Sequence, residues 1–205
     1  SEGRRWWITA NSDSHIHYTE GGIDFWPGEY SKTYVFAKKH YDDIIDGIRN
    51  GRVFVTTGDL VNELYVTVSG ADHQADIGGR LTVNKNEKVT IEIRFKDPIT
   101  PNAGGNNPSV KRVDLIVGEV SGRHDDLSTD TSPATKVVKR FTSWSSEDDF
   151  QVISYSLNIT RPVYLRVRGS SNKEELEPAA DGPEEDPWGD LWFYSNPVFV
   201  DLDAG

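Results

Sequence analysis

In the stretch "NSDSH", Asn11 to His15, a carboxylate and an imidazole stand two positions apart. On an extended backbone alternate side chains share a face, so Asp13 and His15 are expected to project together while Ser12 and Ser14 point away. One hard oxygen and one imidazole on a common face suit zinc, manganese or iron. Such an ion, left open to water, lowers the water's pKa towards neutrality and makes a hydroxide nucleophile. Asp13 and His15 are therefore the metal-ligand candidates, and His17 continues the period as a further one, although Gly21 and Gly22 soon follow it. The competing reading is a turn or helix cap in which the histidine bonds the neighbouring carboxylate. A serine nucleophile is the weaker alternative, because neither Ser12 nor Ser14 sits in the G-x-S-x-G turn that exposes one.

The elements that must position these residues follow from the pattern around them. The run Trp6, Trp7, Ile8 predicts a buried strand over residues 5–10 that emerges into "NSDSH" at a sheet edge. After the loop "YTEGGIDFWPGEY", a second extended run covers Thr33 to Ala37. In "YDDIIDGIRNGR" the residues Tyr41, Ile44, Ile45 and Ile48 fall on one helical face, Asp42 and Asp43 suit the positive N-terminus, and Gly51 is a C-terminal stop. "RVFVTTG" then reads as a strand. Residues 1–58 are thus α/β material, too little for a complete α/β domain.

From Leu60 onward the period becomes two. Leu64, Val66 and Val68 alternate with polar neighbours, as do Val89, Ile91 and Ile93, and Val163, Leu165 and Val167. Further strands are expected at Val110 to Val117, Thr135 to Phe141, Phe150 to Ile159 and Trp192 to Val200, about seven or eight in all. Without helices between them, they predict an antiparallel, immunoglobulin-like β-sandwich over 59–205. The acidic segment around 170–190 reads as a solvated loop, with a low-affinity calcium site as its functional rival.

Composition narrows the function. A formal charge of -11 argues against nucleic-acid binding, and no apolar run approaches the roughly 18 residues of a membrane span. With no cysteine, any metal must be held by nitrogen and oxygen ligands. The chain reads as soluble, with secreted and periplasmic settings both open. It has no methionine and no signal-peptide h-region, and so reads as a piece of something longer.

The strings "ITANSDSH", "PGEYSKTYVFAK" and "DDIIDGIRNGRVFVTTG" together resemble the C-terminal end of the PHP (polymerase and histidinol phosphatase) family, in its phosphoesterase-like members. The late "YLRVRGS" and "WFYSNPVFV" resemble the β-domain appended there. The likeness is closest over residues 6–58 and looser after them. It implies a mostly β chain: a small α/β remnant of a PHP-type β/α barrel, then the β-sandwich. It also implies divalent zinc, manganese or iron activating water to attack a small-molecule phosphoester, with Asp13 and His15 as ligands of different ions and Asn11 and Ser12 orienting them. His17 has no counterpart in the motif. The family's H-x-H motif and other ligands that would lie upstream of "NSDSH" are not present, and His40, His73 and His124 are scattered, so the chain alone is expected to hold metal weakly and to be inactive.

Trp26, Trp144, Trp188 and Trp192 lie in or beside expected loops, where exposed rings could stack on sugars. The alternative to the phosphoesterase reading is accordingly an autonomous β-sandwich that binds a glycan or a protein partner.

Overall fold

A computed structural model of the chain describes residues 2–12, 14, 25–123, 128, 132, 134–173 and 186–203. The chain is mostly β: thirteen strands and one helix among the described residues form two sheets.

The first sheet begins with β1 (Ser31–Val35), paired antiparallel with β2 (Val53–Thr57) across the helix α1 (Tyr41–Arg49). Asp42 and Asp43 lie in the helix's first turn and Arg49 in its last, complementing the helix dipole. Gly51 takes φ +70, the left-handed conformation that lets the chain leave a helix at little cost, and its N–H donates to the Ile48 carbonyl. The apolar face of α1 is only partly covered: Tyr41 is 74% exposed and Ile44 is exposed too, while Ile45 and Ile48 are half-buried.

Beyond β2 the sheet continues through β12 (Trp192–Ser195) and β11 (Val163–Ser170) to β7 (Arg112–Glu119) and β8 (Thr135–Phe141). The expected strand Trp192 to Val200 is broken at Asn196 and Pro197 into β12 and β13 (Val198–Leu202). Proline has no N–H to give a ladder, so the break is where the sheet forks. β12 leads to β2, while β13 leads to β5 (Arg80–Val83), the sole parallel pair among the described strands.

The second sheet runs β4 (Gln74–Asp76), β3 (Glu63–Ser69), β6 (Glu87–Lys96), β10 (Phe150–Ile159) and β9 (Ser145–Glu147), all antiparallel. Near the expected junction, Gly58 and Asp59 both have positive φ, and this tight turn starts the passage from the first sheet to the second. The alternation read from sequence holds. Leu64, Val66, Val68, Val89, Ile91, Ile93 and Phe95 face Leu115, Val117, Val163, Leu165, Val167 and Phe193 in one core. Each fully buried side chain of this kind is worth about 1.5–3 kcal/mol, so the shared core dominates cohesion.

The strand expected over residues 5–10 does not form. Those residues join no ladder, and Trp6 is 77% exposed rather than packed inside. β1, the neighbouring edge strand, meets this segment through a side chain and leaves it no row of backbone partners. No helix among the described residues is long and apolar enough to cross a membrane.

Candidate functional site

Three anchors hold the segment that leads to Asn11. The Trp7 indole lies over Gly51, where a β-carbon would stand 2.3 Å from the ring, and its Nε1–H donates to the Arg49 carbonyl at 2.9 Å. The Ile8 N–H donates to Asn196 Oδ1 at 2.9 Å, and buried Asn196 also donates through Nδ2 to the Gly51 carbonyl at 3.3 Å. Thr33, in the middle of β1, accepts from the Ala10 N–H at 2.8 Å and donates to the Ala10 carbonyl at 3.0 Å. One hydroxyl thus does what a strand pair would do, at a single residue.

Fixed in this way, Asn11 and Ser12 line an open cavity of about 440 Å³ together with Gly28, Lys32, Thr33 and Tyr34. Lys32 Nζ pairs with Asp59 Oδ1 at 2.5 Å, on the left-handed turn after β2. Burial raises the Tyr34 phenol above its ordinary pKa, and the Asp59 carboxylate adds to the effect. The wall offers amide, hydroxyl and ammonium groups, which can orient an oxygen-rich ligand.

The described wall does not by itself fit a metal. It presents neutral oxygens and no imidazole, and the nearby carboxylate of Asp59 is engaged by Lys32. Among the described residues no cluster of three or more His, Asp or Glu could hold an ion. The expected ligands Asp13 and His15, and His17 with them, lie outside the described residues. Of the residues singled out from sequence, Asn11 and Ser12 are the ones placed at this cavity. His40 and His73 are exposed and separate from it, as their loop positions suggested.

A second polar cluster was not foreseen. Asp114, in the fully buried run of β7, accepts from Arg140 Nε at 2.8 Å and from Arg168 Nε at 3.3 Å, and Arg112 Nε stands 3.8 Å away. Arg112 is itself buried, gives Nη1 to the Lys173 carbonyl at 3.2 Å, and lies 5.6 Å from the Trp192 ring centre. Burial pulls the Arg112 guanidinium down from its usual pKa against the opposing pull of Asp114, whereas the hydrogen bond to Asp114 raises Arg140. Its role is structural, joining β7, β8 and β11 outside the core. The signal was visible as an aspartate inside "RVDLIVGE", a run otherwise apolar enough to be buried on both faces.

Of the tryptophans expected as a sugar platform, Trp26 stays exposed and the other three have aromatic neighbours within the fold. Trp144 packs edge-on against Phe95, Trp188 edge-on against Phe25 and Tyr30, and Trp192 stacks on Tyr194. Comparison with protein-family models, with curated proteins and with solved structures finds no match to the chain.

Proposed function

We propose that this chain is the C-terminal portion of a PHP-type metal-dependent phosphoesterase. In this reading residues 1–58 are the last elements of its β/α barrel and 59–205 an appended immunoglobulin-like sandwich. Asp13 and His15 would hold neighbouring zinc, manganese or iron ions, and Asn11 and Ser12 would orient them from the cavity wall. A metal held by them would supply an activated water for attack on the phosphoester of a small molecule.

The observation that carries the reading is Asn196. It lies in "SNP", bonds Ile8 just before "NSDSH", and bonds Gly51 within "RNGR". Three stretches that carry the resemblance, distant in sequence, therefore meet at one buried amide. The exposed Tyr41 and Ile44 of α1 and the exposed Trp6 also suit elements that pack against further barrel structure in a parent protein. The net charge of -11 favours a small substrate over nucleic acid.

The test is hydrolysis of p-nitrophenyl phosphate, with added Mn²⁺ or Zn²⁺, by the protein that carries the upstream ligands. Asp13→Ala should abolish turnover, and Asn11→Ala should lower it by about 10–100-fold, as loss of a ligand-orienting group does. Undiminished turnover in Asp13→Ala would sink the proposal.

A further inference from the structure

A larger cavity, about 690 Å³, opens elsewhere, where the wet face of the second sheet meets the base of the β1–α1–β2 unit. Its floor is built on paired strands: Tyr65 stands opposite Arg94, and Thr67 opposite Glu92. Phe36 and Arg52 form the second wall, held together by the Phe36 N–H donating to the Arg52 carbonyl at 2.9 Å.

Three aromatic rings run along this cavity. Tyr65, 42% exposed, lies 5.5 Å from Phe36, tilted to it, and 5.9 Å from Phe150, edge-on to it. Arg94 lies over Phe150 at 4.8 Å, and its Nε is buried with no hydrogen-bond partner among the described residues. That Nε is covered, but Arg94 is part-exposed and lines the cavity, so its terminal N–H groups are the ones a ligand can reach. Glu92 and Gln74 add planar acceptors and donors to the same cavity.

Charge decides the ligand class. Glu63, Asp76 and Glu92 outnumber Arg52 and Arg94, and Arg52 is already paired with Asp46, which disfavours a phosphate or other anion. A cation is offered little either, because Arg94 and Lys96 already stand over the Phe150 ring and the Glu63 and Asp76 carboxylates already accept from the Tyr65 and Thr67 hydroxyls. What remains is a neutral molecule with an apolar face and a hydroxyl-rich rim. We infer that this cavity binds a neutral oligosaccharide, with Tyr65 stacking on a pyranose face and Arg94, Glu92 and Gln74 gripping its hydroxyls. It shares no residue with the cavity of Asn11 and Ser12, so it stands or falls independently of the phosphoesterase reading.

The test is a glycan array, followed by fluorescence titration of the chain with short neutral gluco-, manno- and xylo-oligosaccharides. At least one neutral series should bind, and Tyr65→Ala and Arg94→Met should each weaken it by about tenfold or more. Trp26→Ala, away from the cavity, should leave binding unchanged. Tyr65→Ser and Arg94→Lys serve as second variants if either first one loses its circular dichroism spectrum. No neutral ligand on the array, binding confined to sulfated, phosphorylated or uronic glycans, or binding unaffected by folded variants at 65 and 94 would each overturn the inference.

Discussion

Replacing Asn196 by alanine removes the acceptor for the Ile8 N–H and the donor to the Gly51 carbonyl at once. The side chain is 1% exposed and Gly51 is buried, so the orphaned groups have poor access to solvent. Leaving a buried group unpaired costs about 1–3 kcal/mol, although the space vacated by the carboxamide is polar and can admit one water. Roughly 2 kcal/mol is therefore expected for the pair, lowering the melting temperature of a chain this size by about 4–8 °C. Urea denaturation followed by tryptophan fluorescence should show an earlier midpoint. Amide exchange should accelerate at Ile8 while β6 amides keep their relative protection. A loss below about 0.5 kcal/mol, with Ile8 exchange unchanged, would refute the claim that this amide fastens the N-terminal segment.

Three further outcomes are expected. Asp114→Ala leaves Arg112 buried without its carboxylate and should cost about 3–5 kcal/mol in urea denaturation, whereas replacing Arg112 and Asp114 together with Met and Leu should cost less than the sum of the singles. Gly51→Ala forces a left-handed alanine and meets the Trp7 ring, so a loss of at least about 1–2 kcal/mol should appear in the same assay. Backbone N–H bonds from Ala71 and Asn84 hold the Glu87 carboxyl below its ordinary pKa of 4.5. The folded state thus favours the charged form, and the stability gained is present above that value and lost as pH falls through the lower folded one. Glu87→Gln should accordingly flatten the acid limb of a plot of stability against pH.

Periodicity carried much of the fold. The strands Thr135–Phe141 and Phe150–Ile159 appear at their expected limits, and the alternating residues of β3, β6 and β11 are the buried ones. Periodicity failed where partners decide the outcome. Trp6, Trp7 and Ile8 have strand-like composition, yet the segment meets only single anchors and forms no ladder. Asn196 and Pro197 carried the usual signal of a turn inside an apolar run, but the forked sheet needed to interpret it is a long-range arrangement. Short strands such as β4 and β9 have too few residues to show a period. The cavity beside Tyr65 escaped for a similar reason. Tyr65, Arg94 and Phe150 come from three strands, and only register brings them together, whereas the tryptophans that drew attention mostly pack into the fold. Of the stretch "NSDSH", the structure places Asn11 and Ser12 at a cavity wall, while the proposed ligands Asp13 and His15 lie outside the described residues.

The most direct measurement of the proposed metal site is paramagnetic broadening in the ¹⁵N-labelled chain titrated with Mn²⁺, which detects even weak binding. The amides of Ser12, Ser14 and Thr33 should broaden first, and Asp13→Asn should abolish this. Broadening that begins in the acidic segment 174–190 instead, or that is unchanged by Asp13→Asn, would contradict the account.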